Sequence, residues 1–213
     1  MNNFLFYFLL YIVYSMIGWI LEMFYVNIKN KTFTNRGFLI GPYCPIYGTA
    51  ALAMILILSK YKDDIIILFF VGIVISSFLE YLTSYILEKV FKARWWDYSN
   101  KILNIDGRVC LVNSIQFGLL CILLINYINP FITNIMNSIP VKILNIISII
   151  VMVIFLTDCI LSFNIIFKIK KSAENLRKDY TDEISNKVKE ILMNQSKLFS
   201  RFLRAFPNFK SKN

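Results

Sequence analysis

The chain has 213 residues, of which 57% are hydrophobic and only 17% are charged, and its formal net charge is +10. This balance excludes an ordinary soluble domain. Several apolar runs reach the roughly 20 residues that a helix needs to cross about 30 Å of hydrocarbon. The composition therefore predicts an all-α, polytopic integral membrane protein.

The apolar runs predict about five transmembrane helices in a domain that covers residues 1–167. The runs are long and do not alternate, so they do not fit transmembrane strands. The first run shows no signal-peptide cleavage site, and we expect it to be retained as a helix. The expected spans are 4–26, 38–59, 65–90, 109–128 and 141–167.

Basic residues are concentrated in the loops on one side of these spans. Short loops rich in Lys and Arg stay in the cytoplasm. The pattern predicts a multi-pass protein of the cell membrane with its N-terminus outside and its C-terminus in the cytoplasm. The loop residues on the predicted cytoplasmic side are Lys29, Lys31, Arg36, Lys89, Lys92, Arg94, Lys101 and Arg108.

Carboxylates occur inside the predicted spans, where they usually face a partner or a wet cavity. Glu22 lies near the cytoplasmic end of the first span, and Glu80 lies in the cytoplasmic half of the third. Two interpretations stay open: helix packing around a satisfied acid, or a polar vestibule open to the cytoplasm. Glu88 is closer to the interface, and we expect it to be solvated. Asp158 lies in the fifth span.

Small residues share the Glu80 face of the third span. Gly72, Ser76 and Glu80 are spaced by four residues and lie one above the other on a helix. The Gly72-x-x-x-Ser76 spacing predicts close approach of a neighbouring helix.

The segment 34–48, which leads into the second span, contains three glycines and two prolines. Proline suits the first turn of a helix, so we expect the helix to begin near Pro45. The residues before it would be non-helical backbone at membrane depth, which requires partners for its polar groups. Together with Arg36, such a helix N-terminus could receive an anion, or the segment is a structural turn without a ligand.

The loop between the third and fourth spans carries Arg94-Trp95-Trp96-Asp97-Tyr98-Ser99. Tryptophan, tyrosine and basic residues are typical of an aromatic belt at the headgroups. A belt does not need Asp97, however, and this carboxylate favours a site. Farther on, residues 104–108 indicate a turn that delivers Arg108 to the start of the fourth span. Arginines and tryptophans together could bind an anionic or planar ligand.

These motifs together resemble the ABC-transporter type IV family, also called the CmpB-like family. The resemblance covers residues 14–120 in consistent order and implies a polytopic membrane protein with a permease-like role. It is carried by Gly18-Trp19-x-x-Glu22, Asn35-Arg36-Gly37-Phe38-Leu39-x-Gly41-Pro42-x-x-Pro45-Ile46-Tyr47-Gly48, Glu80-Tyr81, Arg94-Trp95-Trp96-Asp97-Tyr98-Ser99 and Asn104-x-x-Gly107-Arg108-x-Cys110-Leu111.

The segment 168–213 is strongly basic, with twelve Lys or Arg against five Asp or Glu, and so carries +7 of the net +10. Its apolar residues recur at steps of three and four, which predicts an amphipathic helix that continues from the fifth span. We expect this tail to lie on the anionic cytoplasmic leaflet. A nucleic-acid role is disfavoured because no recognition motif accompanies the charge.

The resemblance implies a permease subunit of an ABC-type transporter, and the polar residues described above favour a cytoplasmic vestibule for an anionic or planar substrate. It contains no phosphate-binding G-x-x-x-x-G-K-[ST] motif, so the ATPase would be a separate chain in a homo- or hetero-oligomer within the lipid bilayer. A lipid-processing membrane enzyme and a non-catalytic assembly or sensory partner remain alternatives.

Histidine is absent, and the four cysteines show no metal-binding spacing. We therefore expect no catalytic residues, no metal and no cofactor. The predicted substrate-binding residues are Glu22, Arg36, Glu80, Arg94, Trp95, Trp96, Asp97, Tyr98, Asn104 and Arg108.

Overall fold

The computed structural model describes residues 3–30, 39–91 and 94–179. This part of the chain is predominantly helical and contains four helices that are long and apolar enough to cross a membrane. It agrees with the predicted all-α membrane architecture. Arg36 and the part of the predicted amphipathic tail beyond Asp179 lie outside the described residues.

Six α-helices follow one another along the described residues: α1 (Asn3–Asn30), α2 (Pro45–Leu58), α3 (Ile65–Phe91), α4 (Leu111–Leu123), α5 (Asn129–Ser138) and α6 (Val141–Asp179). Two short antiparallel strands lie between α3 and α4. They are β1 (Asn104–Ile105) and β2 (Val109–Cys110), and they pair Asn104 with Cys110 and Ile105 with Val109.

The second predicted span is shorter as a helix than the apolar run that suggested it. The helix begins at Pro45 and, with a 3₁₀ turn at Ser59–Tyr61, ends well short of the length of the other spans. Residues 39–44 are not helical. Pro45 sits in the first turn, where its missing N–H is not needed, as the sequence predicts.

The fourth span continues beyond the bound that the sequence suggests. Helices α4 and α5 are joined by a π-helical turn, Leu124–Ile128, so that one helical segment covers Leu111–Ser138. Pro130 accounts for the irregularity. It lacks an N–H and its ring crowds the carbonyl four residues earlier, and the wider π turn accommodates this without ending the helix.

The helices pack through small residues. α1 lies against α2, α3 lies against α4, and α2 and α6 make the further contacts that close the bundle. A Cβ atom added at Gly72 would lie 2.6 Å from the Cβ of Cys121, so α3 and α4 approach as the Gly72-x-x-x-Ser76 spacing predicts. At Gly48 an added Cβ would lie 2.5 Å from the Tyr11 carbonyl oxygen, so α2 similarly touches α1.

One end of the bundle gathers the polar residues. The end of α1, the segment 39–47, the second half of α3, the loop 94–110 and the second half of α6 are joined there by hydrogen bonds between side chains and loop backbone. α6 has 39 residues and is therefore about 58 Å long, which exceeds the roughly 30 Å of a hydrocarbon core. Its C-terminal part extends past this end.

Candidate functional site

The loop between α3 and α4 folds into a compact hairpin. The Arg108 N–H donates to the Ile105 carbonyl at 2.9 Å, and the two residues between them have left-handed φ values of 52° at Asp106 and 67° at Gly107. An Asp-Gly pair is suited to such a turn because glycine adopts positive φ without strain. The predicted turn that delivers Arg108 to the start of α4 is confirmed.

Asn104 and Asp97 hold this hairpin in shape. The Asn104 carbonyl oxygen accepts the Gly107 N–H at 2.9 Å, while its amide donates to the carbonyl oxygens of Ser99 and Lys101. Asp97 accepts the Ser99 N–H at 3.0 Å and lies 3.8 Å from Arg94. Both predicted site residues thus form hydrogen bonds within the loop itself.

The two tryptophans of the loop have different environments. Trp95 is buried, and its ring lies 5.2 Å from that of Phe91, which in turn packs against Phe163 and Phe167 of α6. Trp96 is half-buried and donates its indole N–H to the Arg108 carbonyl at 2.9 Å. Trp95 therefore packs the loop against α3 next to the Phe91 contact with α6, and Trp96 joins the two halves of the loop.

Glu88, Arg94 and Arg108 form an arginine cluster at the end of α3. Glu88 Oε2 lies 2.9 Å from Arg94 Nε and 3.0 Å from Arg108 Nη1. The Arg108 side chain is buried, and its guanidinium lies 5.4 Å from the ring centre of Tyr81 and 5.5 Å from that of Tyr85. Such stacking on tyrosine rings is favourable for a guanidinium.

The expectation that Glu88 is solvated is wrong. Only 14% of its side chain is exposed, because the loop folds back and brings both arginines onto it. The sequence did contain a signal, since Glu80, Ser84 and Glu88 are spaced by four residues on one face of α3.

A second polar group lies deeper in the bundle, and we call Glu22, Tyr47, Glu80 and Tyr98 the tyrosine–carboxylate cluster. The Tyr47 hydroxyl donates to Glu22 Oε1 at 2.8 Å, and the Tyr98 hydroxyl donates to Glu80 Oε1 at 3.2 Å. Glu80 is only 5% exposed, and Asn113 is a further polar neighbour of its carboxylate. Glu22 lies close enough for its charge to act on Glu80.

Local structure explains how these groups meet. Gly18 lies one turn before Glu22 on the same face of α1, and an added Cβ there would overlap the Tyr47 ring. The absence of that Cβ lets Tyr47 reach Glu22. The hairpin places Tyr98 over α3, with its N–H bonded to the Gly107 carbonyl at 2.7 Å. Burial, followed by the negative charge of Glu80, raises the pKa of Tyr98, which therefore stays a protonated donor.

The segment 39–44 is held by a carboxylate of α6. Asp158 accepts the N–H of Gly41 at 2.7 Å and that of Ile40 at 3.1 Å, and Ser162 also accepts the Ile40 N–H. The Cys44 N–H donates to the Ser15 carbonyl. The backbone N–H groups of Ile40 and Gly41 are thus satisfied by the protein's own carboxylate, which is the kind of partner that non-helical backbone among apolar helices needs.

The predicted site residues therefore divide into three described groups. Glu22, Glu80 and Tyr98 come together, Arg94 and Arg108 meet on Glu88, and Trp95, Trp96, Asp97 and Asn104 build the loop that joins these groups. Sequence reasoning did not select Tyr47, although it belongs to the Pro45-Ile46-Tyr47-Gly48 motif. It also gave no role to Asp158, whose backbone partners Ile40 and Gly41 lie more than a hundred residues away in the chain.

This end of the bundle brings acidic, basic and hydroxyl side chains together. Throughout residues 3–30, 39–91 and 94–179, no group of three or more His, Cys, Asp or Glu residues is arranged to hold a metal ion. The four cysteines, at positions 44, 110, 121 and 159, are free thiols. What the site offers is a set of carboxylates and tyrosine hydroxyls beside two fixed guanidinium groups.

Comparison with known proteins identifies the family. No curated protein and no solved structure matches the chain. A sequence model of the family described as "Putative ABC-transporter type IV" matches residues 9–163, a range that includes all the described residues of both clusters. The chain belongs to this family of transport-related membrane proteins.

Proposed function

We propose that this protein is the permease subunit of an ABC-type transporter and that its substrate binds at the polar end of the bundle. The observation that supports this most is the tyrosine–carboxylate cluster. A bundle of apolar helices keeps two carboxylates together at membrane depth, where each costs a few kcal/mol on insertion scales. Such a cost is typical of a substrate or ion pathway.

In this proposal the polar end faces the cytoplasm. The loop residues Arg94 and Arg108 lie at this end, and Lys89 and Lys101 accompany them, which follows the bias of cytoplasmic loops. The short α2 and the segment 39–44 together complete a fifth crossing. The N-terminus is then outside and the C-terminus is in the cytoplasm, with the basic tail on the inner leaflet.

The ATPase of the proposed transporter is a separate chain. The 213 residues of this protein include no phosphate-binding G-x-x-x-x-G-K-[ST] motif. The loop offers a surface for that partner, since Ile102, Leu103 and Ile105 are 78%, 70% and 62% exposed. Leu103 is also held at a left-handed φ of 50°. Exposed apolar residues on a polar loop favour an interaction site.

Five crossings are few for a complete translocation pathway. The proposed permease therefore works as a homo-oligomer or with a second membrane subunit. The exposed apolar faces of α3 and α6, which carry residues such as Val74 and Val153, would contact lipid or such a partner.

The test is purification of the full-length chain from its native membranes through a C-terminal tag, followed by identification of the proteins that accompany it. We expect a nucleotide-binding ATPase to be recovered with the wild-type chain and to be lost with Leu103→Asp. Asp63→Asn, which changes an exposed side chain at the other end of the bundle, is the control. Recovery of other proteins without any ATPase would refute the permease role and favour an assembly partner.

The orientation is tested separately by reporters fused after Asn213. A reporter that works only in the cytoplasm should be active, and one that works only outside the cell should be silent. The reverse result would place both clusters outside and overturn the cytoplasmic vestibule.

A further inference from the structure

Within residues 3–30, 39–91 and 94–179, no basic side chain balances the charge of the tyrosine–carboxylate cluster. Among the described residues, neither Glu22 nor Glu80 forms an ion pair with a lysine or arginine. The two described arginines of this end are instead directed to Glu88. An ionised carboxylate at membrane depth is costly unless it meets a cation or a proton.

Glu80 also retains unused hydrogen-bonding capacity. Its Oε1 accepts the Tyr98 hydroxyl, but its Oε2 is buried and has no hydrogen bond of good geometry in the described part of the chain. The residue is only 5% exposed, so bulk water does not provide the missing donors. A buried acceptor without a donor costs about 1–3 kcal/mol, and more when it is charged.

The tyrosine hydroxyls beside this carboxylate offer acceptors to a ligand, while the Asn113 side chain is a neighbouring donor to Glu80. The hydroxyl hydrogens of Tyr47 and Tyr98 already point to Glu22 and Glu80, which leaves only oxygen lone pairs for a ligand. Phe117 packs edge-to-face against Tyr47 with ring centres 6.1 Å apart and adds an apolar wall. A ligand that fits must bring positive charge, several hydrogen-bond donors and some apolar surface.

We propose that the tyrosine–carboxylate cluster binds a primary ammonium group, so that the substrate is an organic cation rather than the anion that the loop arginines suggest. An ammonium has one positive charge and three N–H donors, which match the carboxylate and hydroxyl oxygens. The arginine cluster then has a positioning role: it holds the hairpin so that Tyr98 closes over Glu80. That the bound cation is a transported substrate rests on the proposed function. Binding of the cation to the cluster does not.

The experiment measures binding of methylammonium to the purified full-length protein in lipid nanodiscs at neutral pH, by titration calorimetry and by thermal unfolding. Tetramethylammonium is the matched ligand control, since it carries the charge but no N–H donor. Acetate is the anionic control. Glu80→Gln and Glu22→Gln remove charge with little change of shape, and Asp63→Asn removes an exposed carboxylate elsewhere.

We expect methylammonium to bind and to raise the unfolding temperature of the wild-type protein and of Asp63→Asn. Each Gln variant should lose about tenfold or more in affinity, as expected for loss of a charge-assisted hydrogen bond. Tetramethylammonium should bind more weakly than methylammonium, and acetate should not bind.

Three results would overturn the proposal. Equal methylammonium affinity in wild type and Glu80→Gln places the cation elsewhere. Preferential binding of acetate restores the anionic interpretation. Stabilisation of the wild type by acid alone, with no response to methylammonium, identifies the occupant as a proton. Because no ATPase takes part, these results are independent of whether the protein is a permease.

Discussion

Glu88→Gln should destabilise the protein because one carboxylate oxygen holds both described arginines of the loop. Glu88 Oε2 lies 2.9 Å from Arg94 and 3.0 Å from Arg108, and the three side chains are only 14%, 17% and 10% exposed. The Arg94–Glu88 contact is a charge-assisted hydrogen bond, which contributes about 1.5–3 kcal/mol, and the buried ion pair of Glu88 with Arg108 adds to it. Glutamine keeps a neutral acceptor for one arginine, so we expect a net loss of about 2–4 kcal/mol.

The assay is thermal unfolding of the purified full-length protein in detergent. For a chain of this size the expected loss corresponds to a decrease of roughly 5–15 °C in the unfolding temperature. Asp97→Asn is the matched control, since asparagine keeps the oxygen that accepts the Ser99 N–H and removes only the charge of a side chain that is 45% exposed and 3.8 Å from Arg94. Exposed pairs contribute about 0–1 kcal/mol, so this variant should change little.

A double-mutant cycle separates the ion pair from general damage. In Glu88→Gln the buried Arg108 charge loses its partner, and such an unpaired charge is strongly destabilising. Arg108→Met should therefore lower the free energy of unfolding less in Glu88→Gln than it does in the wild-type protein. Equal unfolding temperatures for Glu88→Gln and Asp97→Asn, or strict additivity with Arg108→Met, would refute this account of the loop.

Three further substitutions test the packing that positions the clusters, each by unfolding temperature. Asp158→Asn should destabilise by about 2–3 kcal/mol because it weakens charge-assisted bonds to two backbone N–H groups, whereas Asp63→Asn should be neutral. Gly72→Leu should lower the free energy of unfolding by about 1–3 kcal/mol because the added side chain forces α4 away, whereas Val74→Leu on the exposed face should change it little. Equal effects of the two substitutions would contradict this packing. Gly107→Ala should cost about 1–2 kcal/mol because of its positive φ, and an unchanged unfolding temperature would show that the turn is not required.

The sequence predicts the elements that depend on local pattern. The third span was expected at 65–90 and the helix is Ile65–Phe91. Charged residues before and after the long apolar run set its two ends. Pro45 marks the start of α2, and the Asp106-Gly107 pair marks the hairpin turn. In each case the determining residues are neighbours in the chain.

The remainder depends on contacts between distant residues. Asp158 was recognised as a costly polar residue, but only the folded bundle brings it to Ile40 and Gly41. Glu88 was expected to be solvated because its distance from the end of the helix does not reveal a loop that folds back. The arginines favoured an anionic or planar ligand, and only the folded loop shows that two of them lie on Glu88.

ATP hydrolysis by the complex of this chain with its ATPase, purified together and placed in nanodiscs, tests the central claim most directly. The claim is that the tyrosine–carboxylate cluster is the substrate site of a transporter. Methylammonium should stimulate hydrolysis by the wild-type and Asp63→Asn complexes, and it should fail to do so with Glu80→Gln at the same concentration. The account would be contradicted if methylammonium stimulated the Glu80→Gln complex as much as the wild-type complex. It would also be contradicted if methylammonium changed the rate of hydrolysis in none of the three complexes.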